Sequence, residues 1–122
     1  MKSVAIVGAS ANRQKFGNKA VRAYLHQGWK VFPVNPREKE IEGLPVYKSL
    51  NDIKLPIDRV SLYLPPEVGV NILPEISATK PKEVFVNPGA ESEALLKTAN
   101  DLGINVIQAC SIIEVGESPS KY

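Results

Sequence analysis

Cysteine, histidine, methionine and tryptophan occur once each in this chain of 122 residues, and these shortages close off several functions. A single thiol excludes an internal disulfide, and with it a small secreted scaffold held by crosslinks. Cys110 and His26 have no ligand-pair spacing, so no metal site is expected. The longest apolar run near the start, Val4 to Ala9, is far short of the about 20 residues that a membrane span needs. The start also lacks the apolar core and cleavage site of a signal peptide, so the expectation is a cytoplasmic protein with no membrane partner. Aromatic residues are few, at 7%; Tyr63 beside a strand is no stacking platform, and no nucleic-acid partner is expected.

Acid is missing from the beginning. No Asp or Glu precedes Glu38, and residues 1–48 hold nine Lys or Arg against Glu38, Glu40 and Glu42, whereas residues 49–122 carry an excess of acid. The first third is thus prepared for an anion. Apolar residues make up 43% and charged residues 23%, an ordinary globular balance. A chain this long buries about two-thirds of its unfolded surface without crosslinks or metal.

Short β-rich runs alternate with amphipathic stretches. Val4–Val7 reads as a strand buried on both faces. A helix follows with Ala20, Val21, Tyr24 and Leu25 on one side, closed by Gly28. Trp29–Val34 is the second strand, stopped by Asn35-Pro36. Gly43 to Tyr47 is a short extended piece and Ser49–Ile53 one or two helical turns. Arg59–Leu64 is the next strand, Glu67–Thr79 a helix that Pro74 should kink or split. Glu83–Val86, a helix over Glu91–Leu102 and a strand at Asn105–Ile107 complete the pattern, with a polar tail from Glu117. The implied fold is α/β and Rossmann-like: a doubly wound, mostly parallel five-stranded sheet, order 3-2-1-4-5, with helices on both faces. Its ligand crevice is expected at the carboxyl ends of the first and fourth strands.

The strongest chemical signal is the turn Gly8-Ala9-Ser10, where a buried strand runs into a helix that begins after a glycine at 17. Small residues let a phosphate approach the backbone, and free N–H groups near the helix start bind its oxygens. Asn12, Arg13, Gln14 and Lys15 strengthen that reading. The full dinucleotide fingerprint is absent, with Ser10 and Arg13 at the second and third glycine positions. After the second strand, Asn35-Pro36-Arg37 stands where an NAD site carries an acid. NAD is disfavoured; a 2′-phosphate or a 3′-phosphate on an adenosine fits an arginine there. Glu91 and Glu93, like Glu38, Glu40 and Glu42, are spaced two apart and do not converge, so no acid–base pair and no catalytic residue is expected.

Gly8-Ala9-Ser10, Asn35-Pro36, Gly43-Leu44-Pro45-Val46-Tyr47, Leu64-Pro65-Pro66 and a last strand leading to Cys110 together resemble the small stand-alone CoA-binding domain proteins. These are similar to the N-terminal domain of the succinyl-CoA synthetase α subunit. The resemblance spans about residues 3–115 and implies one CoA-binding, Rossmann-like domain over 1–122. It implies that Gly8, Ala9 and Ser10, with Asn12 nearby, receive the CoA pyrophosphate, and that Lys15 is the basic position just after. Arg37 and Lys39 fall near the family's basic residue for a CoA phosphate. Pro65 matches the loop beside the adenine, and Val86-Asn87-Pro88 the loop along the pantetheine arm, though it reads Asn-Pro-Gly where the synthetases carry a Thr-Glu-Gly type of sequence. Cys110 takes a position that makes it a neighbour of the CoA thiol. The synthetases' second domain and its phosphorylated histidine have no counterpart, since His26 lies in the first helix.

The expected function is binding of CoA or an acyl-CoA without chemistry of its own. Three other readings compete: a small NADP-dependent reductase or a fragment of one, a subunit completing an acyl-CoA synthetase in trans, and an interaction protein whose sheet has lost its ligand. Fold alone does not separate them.

Overall fold

The computed structural model describes residues 1–122. Seven strands form: β1 (Ser3–Val7), β2 (Lys30–Val34), β3 (Glu40–Ile41), β4 (Leu44–Pro45), β5 (Arg59–Leu62), β6 (Glu83–Val86) and β7 (Val106–Gln108). Four helices, α1 (Phe16–His26), α2 (Pro66–Thr79), α3 (Glu93–Asp101) and α4 (Ser111–Glu114), lie among them, with 3-10 turns at Leu50–Asp52 and Pro119–Lys121. Five strands make a parallel sheet in the order β2-β1-β5-β6-β7, and β3 pairs with β4 as an antiparallel hairpin.

The sheet is buried on both sides, as its continuous apolar strands require. Along β1, Ala5 and Val7 join a core with Leu73 and Ile76 of α2, Leu95 and Ala99 of α3, and Leu50, Ile53 and Ile57. Val4 and Ile6 face the other way, onto Ala20, Val21 and Tyr24 of α1 and Ile112 of α4. Successive side chains thus serve opposite layers.

The doubly wound α/β class is as the pattern implied, but the strand order differs. Counting only sheet strands, it is 2-1-3-4-5 rather than 3-2-1-4-5. The edge beyond β2 is already taken: Tyr47 donates its N–H to Pro33 at 2.9 Å and accepts from Asn35 N–H at 3.0 Å, forming a parallel bridge with Val34. With that edge occupied, the chain crosses under β1 and β5 lands on its far side. The crevice therefore opens between β1 and the third sheet strand, where α1 and α2 leave on opposite faces.

One smaller expectation, the kink or split at Pro74, also changes. α2 runs unbroken through Pro74, because Leu73 and Ile76, both fully buried, fasten the turns on either side to the sheet. The polar tail is docked: the Glu117 carboxylate meets His26 Nδ1 at 2.8 Å, Tyr122 Oη at 3.0 Å, Lys121 Nζ at 3.3 Å and the Gln27 amide. These donors hold its pKa at about 2 against an ordinary 4.5.

A buried polar layer threads the α1–α4 side. Arg59 is 5% exposed, stacked between Trp29 and Phe85, and donates to Glu83 at 2.8 Å, Glu114 at 2.7 Å and Tyr24 Oη at 3.2 Å. Burial alone would lower its pKa, but these bonds outweigh that and raise it. No helix is long and apolar enough to cross a membrane.

Candidate functional site

A cleft of about 750 Å³ opens where β1, β5 and β6 end, lined by residues that include Gly8, Ala9, Ser10, Lys15, Phe16, Gly17, Tyr63, Pro65 and Pro88. A second, narrower slot of about 200 Å³ adjoins it on the α2 side, walled by Val7, Val34, Leu64, Val68 and Ile72. Gly8, Asn35 and Leu64 line both.

Backbone contact builds the cleft floor. Gly8 has φ +94°, and a Cβ there would lie 2.5 Å from the Tyr63 carbonyl oxygen. Gly17 allows the start of α1 to press on that same turn, since a Cβ on it would collide with the Gly8 carbonyl. These two glycines let α1, β1 and β5 converge without side chains between them.

The sequence pointed to the Gly8-Ala9-Ser10 turn, but the N–H groups of Gly8 and Ala9 are not free; both donate to the Val34 carbonyl, at 3.2 and 3.3 Å. The available donors lie further on. Ser10, Phe16 and Gly17 line the cleft, and none of their backbone N–H groups has an acceptor. The cause is local: Lys15 occupies the N-cap, so no side chain caps α1, and its first turn carries no acid. By contrast α3 is capped, with Ser92 Oγ accepting from Leu95 N–H at 3.1 Å. An uncapped helix start beside an unpaired lysine is an anion cradle. Phe16 and Gly17 were missed as site residues; their sequence signal was the absent cap residue.

The other expected residues divide. Asn35 borders the cleft, and its amide fixes the fold there: Nδ2 donates to the Ala9 carbonyl at 2.8 Å, and Oδ1 accepts from Arg37 and Glu38 N–H. Pro36 lines the slot. Asn12 turns inward on its own loop, accepting from Gln14 N–H at 3.0 Å. Arg13 reaches away to Glu42, at 3.2 Å, and Asn18 joins the same carboxylate to the Ser10 carbonyl. That amide and Arg13 lower the Glu42 pKa. Val86 packs in the core. Asn87 is 2% exposed, its amide spent on Ser61, Leu62 and Ser111. Cys110 is half-buried at the start of α4. Arg37 and Lys39 are exposed. Of these, Asn12, Arg13, Arg37, Lys39, Val86, Asn87 and Cys110 line neither cavity.

Tyr63 connects the cleft to the buried layer. Its hydroxyl bonds Ser111 Oγ at 3.2 Å, and burial pushes its pKa up, so it stays a neutral wall. No group of three His, Cys, Asp or Glu is placed to hold a metal. The uncapped helix start in the cleft and the apolar slot meet at the rim that Gly8, Asn35 and Leu64 share.

The family model described as CoA binding domain matches residues 2–116. The chain belongs to the CoA-binding domain family. This CoA-binding domain is 27% identical, over 117 residues, to the α subunit of the ADP-forming acetate–CoA ligase II of Pyrococcus furiosus, covering 87% of this chain and 26% of that subunit. It thus spans about a quarter of that ligase subunit's length. An uncharacterized protein of Bacillus subtilis is 26% identical over 87% of this chain and 78% of its own. Among solved structures, a conserved hypothetical protein of Pyrococcus furiosus superposes with a TM-score of 0.85 at 33% identity, over 93% of this chain and 99% of that one.

Proposed function

We propose that this chain binds CoA or an acyl-CoA and performs no chemistry itself. The unclaimed N–H groups of Ser10, Phe16 and Gly17, three residues that line one cleft with Lys15, carry the reading. They take the pyrophosphate, worth about 1.5–3 kcal/mol for each charge-assisted bond. The adenine enters the slot between Val34, Leu64, Val68 and Ile72, and the pantetheine arm leaves along Pro65, Pro88 and the neighbouring Gly89 and Ala90. Gly8 and Ala9 shape the turn through their backbone. Binding asks for no base or nucleophile; the titratable side chains of the cleft are Lys15, Tyr63 and Glu67.

A thermal scan tests this. Ligand at 100 times its dissociation constant adds about 2.7 kcal/mol, which in a chain of this size raises the melting temperature by roughly 10 °C. CoA gives that shift, and NAD and NADP do not. An equal shift with NAD or NADP, or none with CoA, overturns the proposal.

The ligase relatives favour a second reading, in which the chain supplies the CoA site of an acyl-CoA synthetase assembled in trans. Acyl-CoA formation from acetate, ATP and CoA that appears only when a ligase's remaining domains are added supports it.

A further inference from the structure

The slot has one cation among its lining side chains, Lys48, which comes from the segment just after Tyr47. Tyr47 lies parallel beside β2. One residue on, Lys48 therefore stands level with Asn35 and Pro36 at the carboxyl edge of the sheet, and it lines the slot with Pro36, Ser49 and Leu50. Lys48 is exposed and has no ion-pair partner. Arg37 and Lys39, nearer to β2 in sequence, are led away: Asn35 Oδ1 turns the chain by accepting from Arg37 and Glu38 N–H. The Lys39 carbonyl then accepts from Val46 N–H at 3.1 Å, at the foot of the β3–β4 hairpin.

We propose that Lys48 recognises the 3′-phosphate of the adenosine and so separates CoA from dephospho-CoA. This assignment rests on the CoA reading above. With the pyrophosphate at the start of α1 and the adenine in the slot, the ribose sits at the rim that Gly8, Asn35 and Leu64 share. A phosphate on that ribose faces the slot mouth. Glu75 also lines the slot, its Oε1 accepting from Asn51 N–H at 3.3 Å, so a dianion there needs a cation to offset a carboxylate. Lys48 is the only cation on that wall.

Calorimetric titration of CoA and dephospho-CoA tests the assignment on the wild type, Lys48→Met, Lys48→Arg and the Arg37→Met, Lys39→Met double variant. The wild type is expected to prefer CoA by about 10- to 100-fold, the range of one charge-assisted bond. Lys48→Met loses that preference through weaker CoA binding alone, Lys48→Arg keeps it, and the double variant keeps it. The assignment is overturned if Lys48→Met retains the preference, if it weakens both ligands equally, or if the double variant abolishes the preference. A wild type that binds both ligands equally refutes Lys48 while CoA binding stands. A wild type that binds neither refutes the CoA reading, and the assignment with it.

Discussion

Replacing Gly17 with alanine sets two effects against each other. By helix propensity alone, Gly17→Ala in α1 should stabilise by about 1 kcal/mol. The packing opposes it. A Cβ at this position comes closer to the Gly8 carbonyl oxygen than the 3.0 Å that real Cβ atoms respect, with the Gly8 carbonyl carbon at 3.1 Å and Ala9 Cα at 3.3 Å. All three are backbone, so no rotamer relieves the contact. The start of α1 must retreat by about 1 Å to recover ordinary van der Waals separation. Overpacking of this kind costs roughly 1–3 kcal/mol. Net of propensity, the melting temperature should fall by up to about 8 °C. The retreat also carries the Phe16 and Gly17 N–H groups away from the anion. Losing one charge-assisted bond weakens CoA binding by about 10- to 100-fold. Scanning calorimetry and titration with CoA read the two quantities separately. A variant that melts higher and binds CoA within about twofold of wild type refutes the role given to the Gly8–Gly17 contact.

Arg59→Met strips Tyr24, Glu83 and Glu114 of their shared donor; it should cost about 3 kcal/mol and lower the melting temperature by roughly 10 °C, and a thermal scan within about 2 °C of wild type contradicts it. Glu117 has a folded pKa of about 2 against 4.5, so the stability it contributes is present above pH 4.5 and is lost as pH falls towards 2. Chemical denaturation of Glu117→Gln should therefore show a shallower acid loss over that window, and an unchanged pH profile rules out a stabilising role for the carboxylate that docks the tail. Ser92→Ala removes the cap of α3 and should cost about 1 kcal/mol while leaving CoA titration unchanged, which separates general destabilisation from damage to the site.

The elements were legible because their signals are local. The unbroken apolar run at Val4 to Val7, the stripe through Ala20, Val21 and Tyr24, and the Asn35-Pro36 stop all act within a few residues. The strand order was not legible, because the edge of β2 is claimed by Tyr47, and no periodicity announces a single bridging residue. The same distance hid the donors. Gly8 and Ala9 look like phosphate binders until Val34, on the neighbouring strand, takes their N–H groups. Arg13 looks free until Glu42, 29 positions later, claims it. Lys48 was overlooked for the complementary reason: nothing in the sequence puts it level with Asn35.

The unclaimed amides also make the molecule its own indicator. In the free protein the N–H protons of Gly8 and Ala9 are held by Val34, and those of Asn18 and Lys19 by Lys15. Between these pairs, Ser10, Phe16 and Gly17 have no acceptor, so their protons trade with solvent on a much faster clock. An anion seated at α1 slows those three and leaves the flanking pairs as they were. Occupancy can then be followed in isotope-labelled water, residue by residue, without dye, tag or coupled enzyme.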